Sequence, residues 1–193
     1  MLGSNLSKSD VEEKLVGRGD FVNIDYLSKL LNEKLHRDTK KFVYLKLIEI
    51  YERTRMFNDV AKMYEGIASI SIAFSEQIKN HLKATEYYIK AGFFDKADYA
   101  MKKALNEANS VEREEINFSV KDFYKRQAEE YEKVLKRNAA TKIYEKLLEM
   151  NITDQERKEI KEKLIELYEK LGRLKEFYAM KKFEEKEFSK LWF

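Results

Sequence analysis

Four acid–base pairs are the most regular chemical feature of this chain. Glu49 and Arg53, Glu86 and Lys90, Glu129 and Lys133, and Glu166 and Lys170 stand four residues apart with the acid first. Each pair brackets a tyrosine: Tyr51, Tyr88, Tyr131 or Tyr168. On a helix this is the favourable order for an ion pair, worth roughly 0.2–0.5 kcal/mol. Helix stabilisation alone accounts for such pairs. The alternative is a charged ladder that a partner reads, extended by Glu52, Glu132 and Glu169 one residue past the tyrosines.

Covalent and metal chemistry have no comparable candidates. Cysteine is absent and histidine is limited to His36 and His81, so neither a thiolate site nor a histidine cluster is available. There is no Gly-rich phosphate loop and no serine-centred elbow. The expectation is a protein that is not an enzyme and uses no cofactor.

Composition bounds the rest. Charged residues make up 38% of the 193, yet 38 Lys and Arg against 35 Asp and Glu leave a net charge of only +3. Both signs are mixed along the whole length, unlike the clustered basic excess of a nucleic-acid binder. "KDFYKRQ" and "KVLKRN" are the most basic clusters, but Glu129, Glu130 and Glu132 lie between them. No run approaches the roughly 20 apolar residues of a membrane span, and "MLGSNLSKSDVEEKL" has no apolar signal core. These features place the chain in the cytoplasm, away from membranes. Abundant Lys and Glu without Cys also fit a thermophilic source, although proline is absent too.

The elements that must position the pairs are helices. Proline is missing, glycine occurs six times, and apolar residues recur at helical spacing. Residues 1–22 read as an N-terminal arm with a short helix capped by Ser9, with Glu12 three residues on. "GRGD" should end that helix as a glycine turn. A second helix follows over "NIDYLSKLLNEKLHR", placing Ile24, Leu27, Leu30, Leu31 and Leu35 on one face.

Residues 23–193 then read as one domain, with units at about 38–74, 75–110, 111–151 and 153–190. Their tyrosines are 37, 43 and 37 residues apart (88−51, 131−88, 168−131). Other columns agree with that register. Four residues past the tyrosines stand Arg55, Gly92, Leu135 and Gly172; nine past stand Val60, Ala97, Ala140 and Phe177; sixteen past stand Ile67, Ala104, Leu147 and Glu184. Units longer than 34 residues imply extended helices or longer links, notably over "NEANSVEREEINFSVKDF".

In this pattern the chain resembles the tetratricopeptide repeat, a 34-residue helix-turn-helix unit. The second unit carries the likeness best, through Ala84, Tyr88, Gly92, Phe94, Ala97, Met101 and Ala104, with His81 where the family prefers Trp. The first matches at Tyr44, Leu47, Tyr51, Phe57, Tyr64 and Ile67 but has Arg55 for the glycine. The third departs at Leu135 and Arg137, the fourth matches in its first helix only, and no unit has the closing proline.

The resemblance implies an all-α fold of antiparallel helix hairpins stacked as a right-handed superhelix, an α-solenoid, with first helices lining a concave groove. It implies a scaffold that binds a protein or peptide there. Some tetratricopeptide proteins hold a chaperone's C-terminal carboxylate with Lys and Asn in this groove. Here the Asn column is Glu49, Glu86, Glu129 and Glu166, which excludes that clamp and favours a ligand of basic or mixed charge.

Two alternatives stand beside this one. An RNA-binding helical repeat rests only on the mild basic excess. An oligomerisation module, a homodimer for instance, rests on the tail "EEKEFSKLWF". Its Leu191, Trp192 and Phe193 either pack on the last helix or dock into a second chain.

Overall fold

Ten helices account for most of the described residues, 6–190, of the protein's structure, a computed structural model. They are α1 (Lys8–Leu15), α2 (Asp20–Leu31), α3 (Arg37–Arg53), α4 (Phe57–Ile70), α5 (Phe74–Ala91), α6 (Phe94–Glu107), α7 (Ser110–Lys133), α8 (Arg137–Glu149), α9 (Asp154–Leu171) and α10 (Leu174–Lys190). Among the described residues there is no strand. The chain divides into two compact units, Met1–Val120 and Lys121–Phe193, so α7 begins in the first and ends in the second.

In the first unit α2 packs on α3, α3 on α4, α4 on α5 and α5 on α6. Its core gathers Val11 of α1, Leu27 of α2, Val43, Leu47, Ile48, Ile50 and Tyr51 of α3, and Val60 and Ile67 of α4. Val11 is fully buried, so the N-terminal segment contributes to this core. Buried alanines (Ala84 on α5; Ala97, Ala100 and Ala104 on α6) let the next hairpin close tightly. In the second unit α8 packs on α9 and α9 on α10, around Ala140, Ile143, Leu147, Leu164, Leu167 and Phe177.

The residues nine past each tyrosine (Val60, Ala97, Ala140 and Phe177) are buried in all four hairpins. A further regularity lies in the turns. Arg55, Gly92, Leu135 and Gly172 all adopt left-handed backbone, with φ of 57°, 78°, 56° and 68°. At each turn the following N–H reaches back to the tyrosine carbonyl: Met56 to Tyr51 at 2.8 Å, Phe93 to Tyr88 at 2.9 Å, Lys136 to Tyr131 at 2.8 Å and Arg173 to Tyr168 at 2.9 Å. The left-handed residue's own N–H donates to the carbonyl three residues back, at 3.0, 3.0, 2.9 and 3.1 Å. These paired bonds are the Schellman helix end, which satisfies the last carbonyls of the first helix. Where the family pattern has glycine and this chain has Arg55 and Leu135, the turn forms nonetheless.

A side chain in left-handed backbone costs about 1–2 kcal/mol, partly offset by glycine's larger loss of chain entropy on folding. Arg55→Gly and Leu135→Gly are therefore each expected to stabilise the protein by about 0.5–1 kcal/mol in urea unfolding. Gly92→Ala should shift the midpoint the other way.

Two local expectations need correction. The first helix is capped by Ser7, not Ser9: Ser7 Oγ accepts the Asp10 N–H at 3.2 Å and the Asp10 carboxylate accepts the Ser7 N–H at 2.9 Å. The second helix starts at Asp20 and stops at Leu31, because Asn32 folds its backbone N–H and side-chain amide onto the carbonyls of the last turn. Leu35 thus lies in the connection, though it still packs on the core. Of the two forms expected for the stretch before the third unit, an extended helix or a longer link, the structure has the extended helix: α7 has 24 residues where α3 has 17 and α5 and α9 have 18. Asn109 starts it, its Oδ1 accepting from the N–H groups of Val111 and Glu112, both at 3.0 Å.

Candidate partner-binding groove

The first helix of each hairpin carries the acid–base ladder, and the structure treats its four rungs differently. Glu49 is exposed and accepts from Lys46 at 3.2 Å, while Arg53 turns to Asp20 at the start of α2, a contact that lowers the Asp20 pKa. Lys133 pairs with Glu130 at 3.5 Å, and Glu129 stays exposed. Only the other two rungs close as the spacing predicts: Glu86 with Lys90 at 3.0 Å and Glu166 with Lys170. Glu86 is buried and also holds Lys83 at 3.0 Å. Burial would raise its pKa, but the two ammonium groups outweigh that and keep the pKa low. Leu191, Trp192 and Phe193 lie outside the described residues.

Contacts between neighbouring hairpins involve residues that the ladder did not single out. Tyr88 Oη donates to Glu65 Oε2 at 2.7 Å, joining α5 to α4. Tyr168 Oη donates to Glu145 Oε1 at 2.8 Å, joining α9 to α8. Lys41 pairs with Glu76, and Lys121 with Glu156 at 3.0 Å. Each contact in the first unit has its counterpart 80 residues later (131−51 and 168−88). The same offset superposes Glu52 on Glu132, Tyr64 on Tyr144 and Lys83 on Lys163 without a gap. That register is the signal in the sequence from which these contacts were readable.

The tyrosine hydroxyls stay protonated. Burial, and then the carboxylate each one faces, raises the pKa of Tyr87, Tyr88, Tyr144 and Tyr168 well above the ordinary value. His81 is half-buried on α5, and burial followed by Lys103 lowers its pKa, which keeps it neutral. Among the described residues no group of three His, Asp or Glu side chains is placed to hold a metal ion. Among them, too, no helix is long and apolar enough to cross a membrane.

The grooves in the two units differ. In the first, Tyr87 reaches from α5 to Glu52 of α3 through its hydroxyl. Its ring stacks on Tyr64 at 5.7 Å, and Lys90 Nζ sits 4.6 Å from its centroid. In the second, a cleft of about 470 Å³ opens among α7, α8 and α9, lined by the buried Tyr144 and Ile160 and by charged residues that include Glu129 and Lys163. No protein-family model matches the chain, and comparison with curated proteins and with solved structures finds no similar chain.

Proposed function

We propose that the chain is a non-catalytic recognition module, built of tetratricopeptide-type hairpins stacked within each unit, that binds a protein or peptide segment in the groove lined by the first helices. What carries the reading is the repetition of the inter-hairpin contacts. Tyr88–Glu65 and Tyr168–Glu145 use buried tyrosines to fix one hairpin against the next. A groove held by repeated contacts is already formed before a ligand arrives, so little ordering cost falls on binding. The exposed carboxylates Glu49, Glu129 and Glu166 give it a preference for basic or mixed-charge segments.

The test is capture of partners from native cell extract by the wild type and by a Glu49→Lys, Glu129→Lys, Glu166→Lys variant. Glu86 is left in place, because a lysine there would be buried between Lys83 and Lys90. The expected outcome is loss of the wild-type partners. An unchanged set would show that these carboxylates only stabilise their helices.

A further inference from the structure

The 80-residue register makes the two units comparable position by position, and they part company at the groove. Lys79 of the first unit corresponds to Glu159, Leu82 to Glu162 and Tyr87 to Leu167. Two of these changes add carboxylates to α9. The third removes the aromatic ring whose hydroxyl ties α5 to α3.

The charge balance shifts with them. In the first unit the corresponding positions hold Glu49 and Glu86 against Lys79 and Lys83, and Glu86 is already paired twice. In the second unit, Glu129 of α7 lines one cleft together with Glu159, Glu162 and Glu166 of α9. The cleft's two lysines are committed to carboxylates that do not line it: Lys125 to Glu156 at 2.6 Å and Lys163 to Glu132 at 3.1 Å. Glu166 holds Lys170 and Glu159 accepts from Gln155, whereas Glu129 and Glu162 make no ion pair among the described residues. Tyr144 and Ile160 line the same cleft and are both buried, which offers an apolar surface to the stem of a long side chain.

We propose that the cleft between α7 and α9 is the docking site for a basic peptide, with an arginine or lysine stem lying over Tyr144 and Ile160 and its charged head between Glu129 and Glu162. The assignment rests on the recognition-module reading above and sharpens it: the second unit takes the basic segment, and the first keeps the neutralised, Tyr87-bridged form of the same groove. A guanidinium suits the place because it is planar, always charged and weakly hydrated.

A fluorescently labelled peptide of alternating arginine and glycine, titrated against the full chain and followed by anisotropy, tests this. Binding is expected, weakening as salt is raised. The Glu129→Lys, Glu162→Lys double variant should lose roughly tenfold or more in affinity. Glu114→Lys, which reverses an exposed carboxylate of α7 that does not line the cleft, should leave affinity within about twofold. Thermal unfolding of each variant guards against loss of fold, and the milder Glu129→Gln, Glu162→Gln pair replaces the reversal if it unfolds. Equal weakening by Glu114→Lys would reduce the effect to diffuse charge and overturn the site. So would unchanged affinity in both cleft variants, or no binding of the peptide at all. Any of these would leave the recognition-module reading standing as long as the wild type captures partners from cell extract that the Glu49→Lys, Glu129→Lys, Glu166→Lys variant loses.

Discussion

Replacing Leu47 with alanine is expected to cost about 2–5 kcal/mol, the range for removing a fully buried leucine from a close-packed core. Against a total stability of about 5–15 kcal/mol for a protein of this kind, that is a large fraction. Leu47 is completely buried on α3, in the cluster where α1, α2, α3 and α4 meet through Val11, Leu27, Val43, Val60 and Ile67. Its counterpart 80 residues on is Gln127, which is only half-buried, so the second unit does not depend on an anchor at that position. Urea unfolding combined with hydrogen exchange will check both parts of the expectation. Amide protection should fall first in α1 to α4, and Leu164→Ala, at a fully buried site on α9, should instead weaken protection in the second unit. A loss below about 1 kcal/mol would mean that the α1–α4 cluster relaxes to fill the space.

The hairpin pattern was legible because it is written twice, once in residue type and once in spacing. Gly92 and Gly172 announce their turns by themselves. Arg55 and Leu135 do not, and only their place four residues past a tyrosine marks them. Their left-handed backbone is imposed by the helix-end hydrogen bonds and by the packing of the second helix against the first, which together outweigh the local preference of each residue. The ladder shows the opposite limit. Spacing says that Glu49 can reach Arg53, but it cannot say that α2 brings Asp20 alongside as a competing partner. At Glu86 the spacing was right, yet the burial that sets that carboxylate apart depends on how α5 is packed. Glu159 and Glu162 read as members of an ordinary solvated helix face, and they gain meaning only once the fold brings Glu129 into the lining of the same cleft.

Glu156 shows what that positioning contributes, and Glu156→Gln is expected to cost about 1–2 kcal/mol near neutral pH. Its carboxylate accepts from Lys125 Nζ at 2.6 Å, from Lys121 Nζ at 3.1 Å and from the Thr153 N–H at 2.8 Å. The Glu156 N–H in turn donates to Thr153 Oγ1 at 3.2 Å, closing a capping box at the start of α9. One side chain therefore both starts α9 and ties it to α7. These contacts, the Lys125 bond foremost, hold its pKa at about 2, down from the ordinary 4.5. A carboxyl whose pKa is lower in the folded than in the unfolded state stabilises the fold fully above the unfolded value and loses that contribution as pH falls through the folded one. Above about pH 5.5 the wild type should exceed the glutamine variant by a constant margin, and the gap should close between pH 4.5 and pH 2. Paired denaturant titrations across that range measure it directly. A gap that persists unchanged to pH 2 would show that the amide fails for reasons of shape. A gap that closes on schedule would identify the charge on Glu156 as what fastens α9 to α7 along one wall of the proposed cleft.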